Sequence, residues 1–346
     1  MDPDHRPTLT LAMGDAAGIG AELSAKVLAD QEVRAAARFV VVGDRRLWGQ
    51  GEDEAGLSET LGDAVFVDLG NLDPGNVTLG QAGPATGSAA LENFAAALTI
   101  CHLGGADAVT FTPFNKYAMR LAEPGYVDEI GFIQRTIDSQ AEGAEFNVLD
   151  ELWNARVTSH VPLSAVAGML STDRIFERIV LTDQTMQGAG QPRPRIAVAA
   201  LNPHAGDNGN FGREDEDIIA PAVRRAQEHQ INVTGPLPSD TVYLRAHKGE
   251  FDVVVSMYHD QGQIAMKLIG FDRGVTLIGG YPMWIATPAH GTAYDIAGQG
   301  IANPQATKNA LMLAARLASA SGKPLASPDS TRSAIETVLA QNIQTA

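Results

Sequence analysis

Apolar positions along the chain follow two alternating patterns. Short runs with few polar interruptions, FVVVG (39–43), DAVTFT (107–112), ARVTSHV (155–161), RIAVAAL (195–201), DVVVSMY (252–258) and GVTLIG (274–279), predict strands buried mostly on both faces. Between them, GAELSAKVLADQEVRAAA (20–37), SAALENFAAALTICHL (88–103), REDEDIIAPAVRRAQEHQ (213–230) and NPQATKNALMLAARLA (303–318) place apolar residues three and four apart, as amphipathic helices do. This alternation predicts an α/β fold with mostly parallel sheets and helices on both faces. No segment repeats and no low-complexity linker divides the chain, so two domains would share strands or cross over rather than follow one another as beads.

Length and charge narrow the picture. A chain of 346 residues with 45% hydrophobic side chains can bury a large core and favours two domains. A net charge of -16 argues against a nucleic-acid partner, which needs a basic face to displace counterions, yet leaves room for a small anionic substrate in a local cationic pocket. The opening MDPDHRPTLTLAMGD lacks a basic segment followed by an apolar one, and no apolar run approaches the roughly 20 residues needed to span a bilayer. Cys101 is the only cysteine, which excludes a disulfide within the chain. These features predict a cytoplasmic protein without a membrane partner.

Candidate chemistry gathers where strands are expected to end. His160 follows RVTS, His204 sits in LNPHAGDNG after RIAVAAL, and His259 ends DVVVSMY. Sites in open α/β sheets assemble at the carboxyl ends of strands, where three imidazoles could share one divalent ion, Zn, Co, Mn, Ni or Mg. Their wide spacing matches no local zinc signature, and HExxH is absent. A second candidate is the loop from residue 288, punctuated by Gly291, Gly298 and Gly300, which leads into a helix with Asn303 as cap and Pro304 at its first position. Such a loop can offer backbone amides to a phosphate. GDAAGIG at 14–20 has glycines ahead of a helix but not the GxGxxG spacing.

HGTAYDIAGQGIANP, residues 290–304, resembles the adenine-nucleotide loop of the isocitrate and isopropylmalate dehydrogenases. The resemblance implies that His290, Gly291, Thr292, Ala293, Asp295 and Asn303 bind NAD, with the Asp295 carboxylate accepting from ribose hydroxyls and repelling the 2'-phosphate of NADP. GDAAGIG, TPFNK (112–116), TSHVPL (158–163), LNPHAGDNGNFGREDED (201–217) and MYHDQG (257–262) together resemble motifs of one branch of that superfamily, the 4-hydroxythreonine-4-phosphate dehydrogenase family, over nearly the whole chain. This implies a two-domain isocitrate/isopropylmalate dehydrogenase-like fold, with the active site in the interdomain cleft at the interface of a homodimer. It also implies a divalent ion on His160, His204 and His259, shared between subunits. Residues 1–120 with 266–346 would form the nucleotide-binding domain and 121–265 the metal, substrate and dimerisation domain.

The chain departs from that family at its phosphate pocket. Setting GYVDE against the family's GHTE puts Tyr126 and Val127 at its histidine and threonine, an ungapped comparison of the stretch from 271 puts Thr276 and Ile285 at its asparagine and arginine, and only Lys267 is kept. Isoleucine offers no charge-assisted donor, so the expected substrate is non-phosphorylated. The terephthalate dihydrodiol dehydrogenase of the same family resembles this chain in GY and IGG, which implies a cis-dihydrodiol carboxylate giving a catechol, in aromatic catabolism. The alternative is 4-phosphohydroxy-L-threonine or a related 4-phosphorylated hydroxy acid, of the vitamin B6 branch. The expected reaction oxidises a hydroxyl β to a carboxylate, followed by decarboxylation. Lys267 and Lys116 are candidates for moving protons, and Asp240 or Asp260 for orienting a histidine. A reading from another class, a metal-dependent hydrolase, would use the same histidines to activate water.

Overall fold

A computed structural model of the chain describes residues 6–149 and 152–345. The backbone divides into two compact units at 143/144 and 274/275, the outer segments forming one and the middle segment the other.

The leading segment supplies β1 (Thr8–Ala12), β2 (Arg38–Gly43), β3 (Val65–Asp68) and β4 (Ala108–Phe111), all parallel, in the order β3-β2-β1-β4. The middle unit contains β5 (Ala144–Leu149), β6 (Leu152–Arg156), β7 (Ile196–Ala199), β8 (Val233–Leu237) and β9 (Val253–Ser256), ordered β5-β6-β9-β7-β8. In that unit only β5 runs antiparallel to its neighbour. The returning segment adds β10 (Val275–Gly279) and β11 (Trp284–Pro288), β11 lying parallel to β4 and β10 antiparallel to β11. The result is the α/β architecture expected of buried runs alternating with amphipathic ones.

Each unit has its own core. In the outer unit the helix Pro84–His102 inserts Phe94 against Phe111 and Phe132, with Ile133, Ile285 and Val338 in the same cluster. In the middle unit Leu149, Leu152, Val242, Phe251, Val254 and Met266 pack together. These cores explain why the boundaries fall later than 120 and 265. The helix Glu129–Thr136 buries Phe132 and Ile133 in the outer core, and the helix His259–Gly270 runs unbroken past 265.

Local chemistry revises two expected elements. The helix predicted over 20–37 is two helices, Gly20–Ala29 and Gln31–Ala36, because the Asp30 carboxylate accepts from the amides of Glu32 and Val33 and caps a new start. The strand predicted over 155–161 ends at Arg156, so His160 lies in the loop beyond it.

Candidate functional site at the strand ends

Strands β6 and β9 are parallel neighbours in register, Arg156 opposite Ser256, and their exits stay tied together. The amide of Val157 donates to the Ser256 carbonyl at 2.9 Å, and the amide and hydroxyl of Thr158 donate to the Met257 carbonyl at 3.1 and 2.8 Å. His160 and His259, just beyond, therefore meet, with ring centroids 5.5 Å apart. An imidazole centre stands about 3 Å from an ion it ligates, so this spacing fits two ligands of one ion.

His259 is the first residue of its helix, and the turn before it is locked by Gln261. The Gln261 side chain accepts from the Met257 amide at 2.6 Å and donates to the Ala200 carbonyl at 2.6 Å and to Ser239 at 2.9 Å, linking the exits of β9 and β7. Gly262 is required by close packing, since a Cβ there would lie 2.4 Å from the Asn154 side chain. The Asp260 carboxylate lies 2.6 Å from His259 Nδ1, which leaves Nε2 as the nitrogen open to a ligand. Asp260, not Asp240, is thus the carboxylate on a histidine, and Asp240 stands exposed in the first turn of the helix Ser239–His247.

Beneath the pair lies a buried polar network that sequence reasoning missed. Arg156 donates to Asn147 at 2.7 Å, to Ser159 at 3.0 Å and to Glu145, while Gln263 donates to the same Asn147 oxygen at 2.7 Å. Ser159 adjoins His160 and Gln263 lies one turn past His259, so Arg156 and Asn147 together tie the two segments.

His204 is held differently. From His204 to Gly209 every residue has positive φ, including His204 at 54° and Ala205 at 55°. Non-glycine residues persist in that region only where the surroundings over-determine them. Here the anchor is Asp215, 1% exposed, which accepts from the amides of Leu201 (2.8 Å) and Asn202 (3.0 Å) and from the Asn202 side chain (3.0 Å). The His204 imidazole is exposed, 6.1 Å from the Phe211 ring. Among the described residues no three His, Cys, Asp or Glu side chains come together as a metal-holding group. One chain brings together two of the three predicted ligands.

In the outer unit, the loop from His290 to Asn303 packs on the turn at 14–20. The Thr292 carbonyl accepts from the Ile19 amide at 3.1 Å, and Ala302 donates to Glu22 at 2.8 Å. Thr292 is buried, Ala293 is left-handed (φ 44°), and Gly291 and Asp295 are exposed. His290 Nδ1 lies 3.0 Å from the Gly291 carbonyl. Asn303 accepts from the Gln305 amide at 2.9 Å, which spends its side chain on starting the helix Gln305–Ala320 one residue later than predicted.

The remaining predicted site residues are scattered in environment. Lys267 is exposed, two turns along the helix from His259, and Lys116 is paired with Glu129 at 2.8 Å. Tyr126 and Ile285 are 1% and 0% exposed inside the outer core, Val127 is 72% exposed, and Thr276 is half-buried opposite Thr287.

The family model described as pyridoxal phosphate biosynthetic protein PdxA matches residues 24–314. A protein of Rhizobium meliloti (strain 1021), provisionally named 4-hydroxythreonine-4-phosphate dehydrogenase 2, is 52% identical over 91% of this chain and 94% of its own. The chain belongs to the PdxA family. Among solved PdxA-type structures, the 4-hydroxythreonine-4-phosphate dehydrogenase of Klebsiella pneumoniae superposes with a TM-score of 0.80 at 32% identity, covering 90% of this chain and 98% of that one. The terephthalate 1,2-cis-dihydrodiol dehydrogenase of Burkholderia xenovorans LB400 is more distant, with a TM-score of 0.62 at 26% identity over 90% of this chain and 98% of that one.

These similarities overturn the expectation of a non-phosphorylated dihydrodiol substrate, and aromatic catabolism with it. The nearer relatives carry names for a phosphorylated substrate. Tyr126 and Ile285, set at donor positions of the phosphate users, both lie in the outer hydrophobic cluster.

Proposed function

We propose that this PdxA-family chain is an NAD- and divalent-metal-dependent dehydrogenase of a 4-phosphorylated hydroxy acid, of the 4-phosphohydroxy-L-threonine type, oxidising a hydroxyl β to the carboxylate with decarboxylation. The observation that carries the reading is the pairing of His160 with His259 at the carboxyl ends of adjacent parallel strands. The names of the relatives supply the substrate class.

When bound, the ion would polarise the substrate hydroxyl and the nicotinamide would accept the hydride. His160 and His259 would hold that ion, with Asp260 fixing the tautomer and rotation of His259. Because one chain gathers only two of the three histidines, the reading includes a homodimer whose copies share the set. Lys267 would bind the substrate phosphate as a point charge. Lys116, held by Glu129, would fix the turn after β4 rather than move a proton. His290 to Ala293 would shape the nucleotide loop, and the exposed Asp295 carboxylate would meet the ribose, favouring NAD over NADP.

Absorbance at 340 nm tests this directly. It should rise with NAD, a divalent ion and 4-phosphohydroxy-L-threonine, and fall to background with the dephosphorylated acid or with a chelator. Equal turnover of the dephosphorylated acid would refute the phosphate assignment, and ester hydrolysis without NADH would favour the hydrolase. Lys267→Met should raise KM for the phosphorylated acid roughly tenfold to a hundredfold, the value of a lost charge-assisted bond. An unchanged KM would remove Lys267 from the phosphate.

A further inference from the structure

The turn at 14–20 resembles a phosphate loop in composition, yet five of its seven amides are already spent. Gly14 donates to Thr112 (2.8 Å), Asp15 to the Pro113 carbonyl (3.0 Å), Ala17 to the Asp15 carboxylate (3.0 Å), Gly18 to the Asp15 carbonyl (3.1 Å) and Ile19 to Thr292 (3.1 Å). The turn and the helix Gly20–Ala29 that follows it work as a dock for the loop from 290 to 303, gripping it at two places. At the far end Lys26, paired with the buried Glu22, donates to the carbonyls of Gly300 and Ala302 at 2.9 Å each. At the near end Thr292 rests on Gly18, where a Cβ would come within 2.7 Å, and the Tyr294 hydroxyl donates to the other oxygen of the Asp15 carboxylate. Between the grips Asp295, Gly298 and Gln299 are exposed.

We propose that Tyr294 is a positioning residue for the nucleotide: its hydrogen bond to Asp15 holds the span carrying Asp295 in the shape that binds NAD, so that cofactor affinity, and not turnover, depends on the phenol. Asp15 is 1% exposed, and an oxygen deprived of its donor there must find another or shift the loop that brought it. Burial pushes the Asp15 carboxyl above the usual range while the bonds from Tyr294, Ala17 and Thr86 pull it back, so the phenol is part of what keeps this charge tolerable. Ala293, left-handed just before Tyr294, adds a strained turn that only a fixed neighbour sustains.

The inference rests on the NAD reading, and direct binding separates the two. NAD is titrated into the wild-type enzyme and into Tyr294→Phe by calorimetry, without hydroxy acid, and amide exchange is followed over 293–299. The Phe variant keeps the ring, so it should stay folded, with an unfolding midpoint lowered only by the loss of one buried hydrogen bond, and keep its kcat at saturating NAD. Its Kd and KM for NAD should rise roughly tenfold, the scale of one hydrogen bond to a charged group, with faster exchange in the span. Tyr294→Leu should show the same rise in Kd for NAD. Wild-type affinity retained in both variants, or a fall in kcat at unchanged KM for NAD, would overturn the inference. A wild type that binds no NAD would overturn the reading beneath it.

Discussion

At the scale of single residues, the decisive pair is His160 and His259. Their rings meet because two parallel strands deliver them in register, and neither imidazole has a part in either hydrophobic core. Substituting either with alanine should therefore lower the bound divalent ion at least tenfold after dialysis while leaving the urea midpoint unchanged. Metal content equal to wild type in both variants would refute the ligand role.

Elements are held in place by buried carboxylates more than by propensity. Asp215 closes the loop after β7 by taking three N–H bonds, so Asp215→Ala strands those donors and should cost about 2–4 kcal/mol in urea unfolding. A loss below about 0.5 kcal/mol would show that the left-handed run from His204 holds itself. Asp252 plays a comparable part at the strand starts, accepting the Arg195 side chain at 2.6 and 3.0 Å and its amide at 2.7 Å. Burial pushes the Asp252 carboxyl up, but the hydrogen bonds and charge of Arg195 outweigh it and hold the group below the usual range. A depressed folded value means stability that is present above the unfolded value of about 3.9 and lost as pH falls through the folded one. The stability gap between wild type and Asp252→Asn should thus be constant from pH 7 to about 5 and narrow below about 4. A gap unchanged at pH 3 would contradict the pairing.

For the whole molecule, the incomplete histidine set is the feature with the largest consequence. A proposed homodimer completes it, so the ion-binding species and the dimer should be the same particle. Sedimentation at falling protein concentration should show metal affinity dropping as monomer appears. Full affinity in a demonstrated monomer would require a rearrangement that brings His204 to the other two. No helix among the described residues is long and apolar enough to cross a membrane.

Hydrophobic periodicity by itself determined the α/β class, the long helices Pro84–His102 and Gln305–Ala320 but not Thr172–Gly188 or Pro328–Thr345, and the core strands β2, β4, β7, β9 and β10, because fully buried runs such as VVVS carry their own signature. The three histidines and the glycine loop were legible from their places after such runs. The strands β3, β5, β8 and β11 were not: Val65 is exposed, β8 contains Gly235 and Pro236, and AEFNVL owes its pairing to a neighbour rather than to its own pattern. Only tertiary structure decided which side chains face an opening. Ile285 aligns with a donor position and lies in the outer core, while Arg156, a charged residue, is buried and with Asn147 ties both histidine segments. The reason is geometric: sequence spacing fixes where a side chain stands along its element, but burial and partnership depend on which other elements arrive beside it.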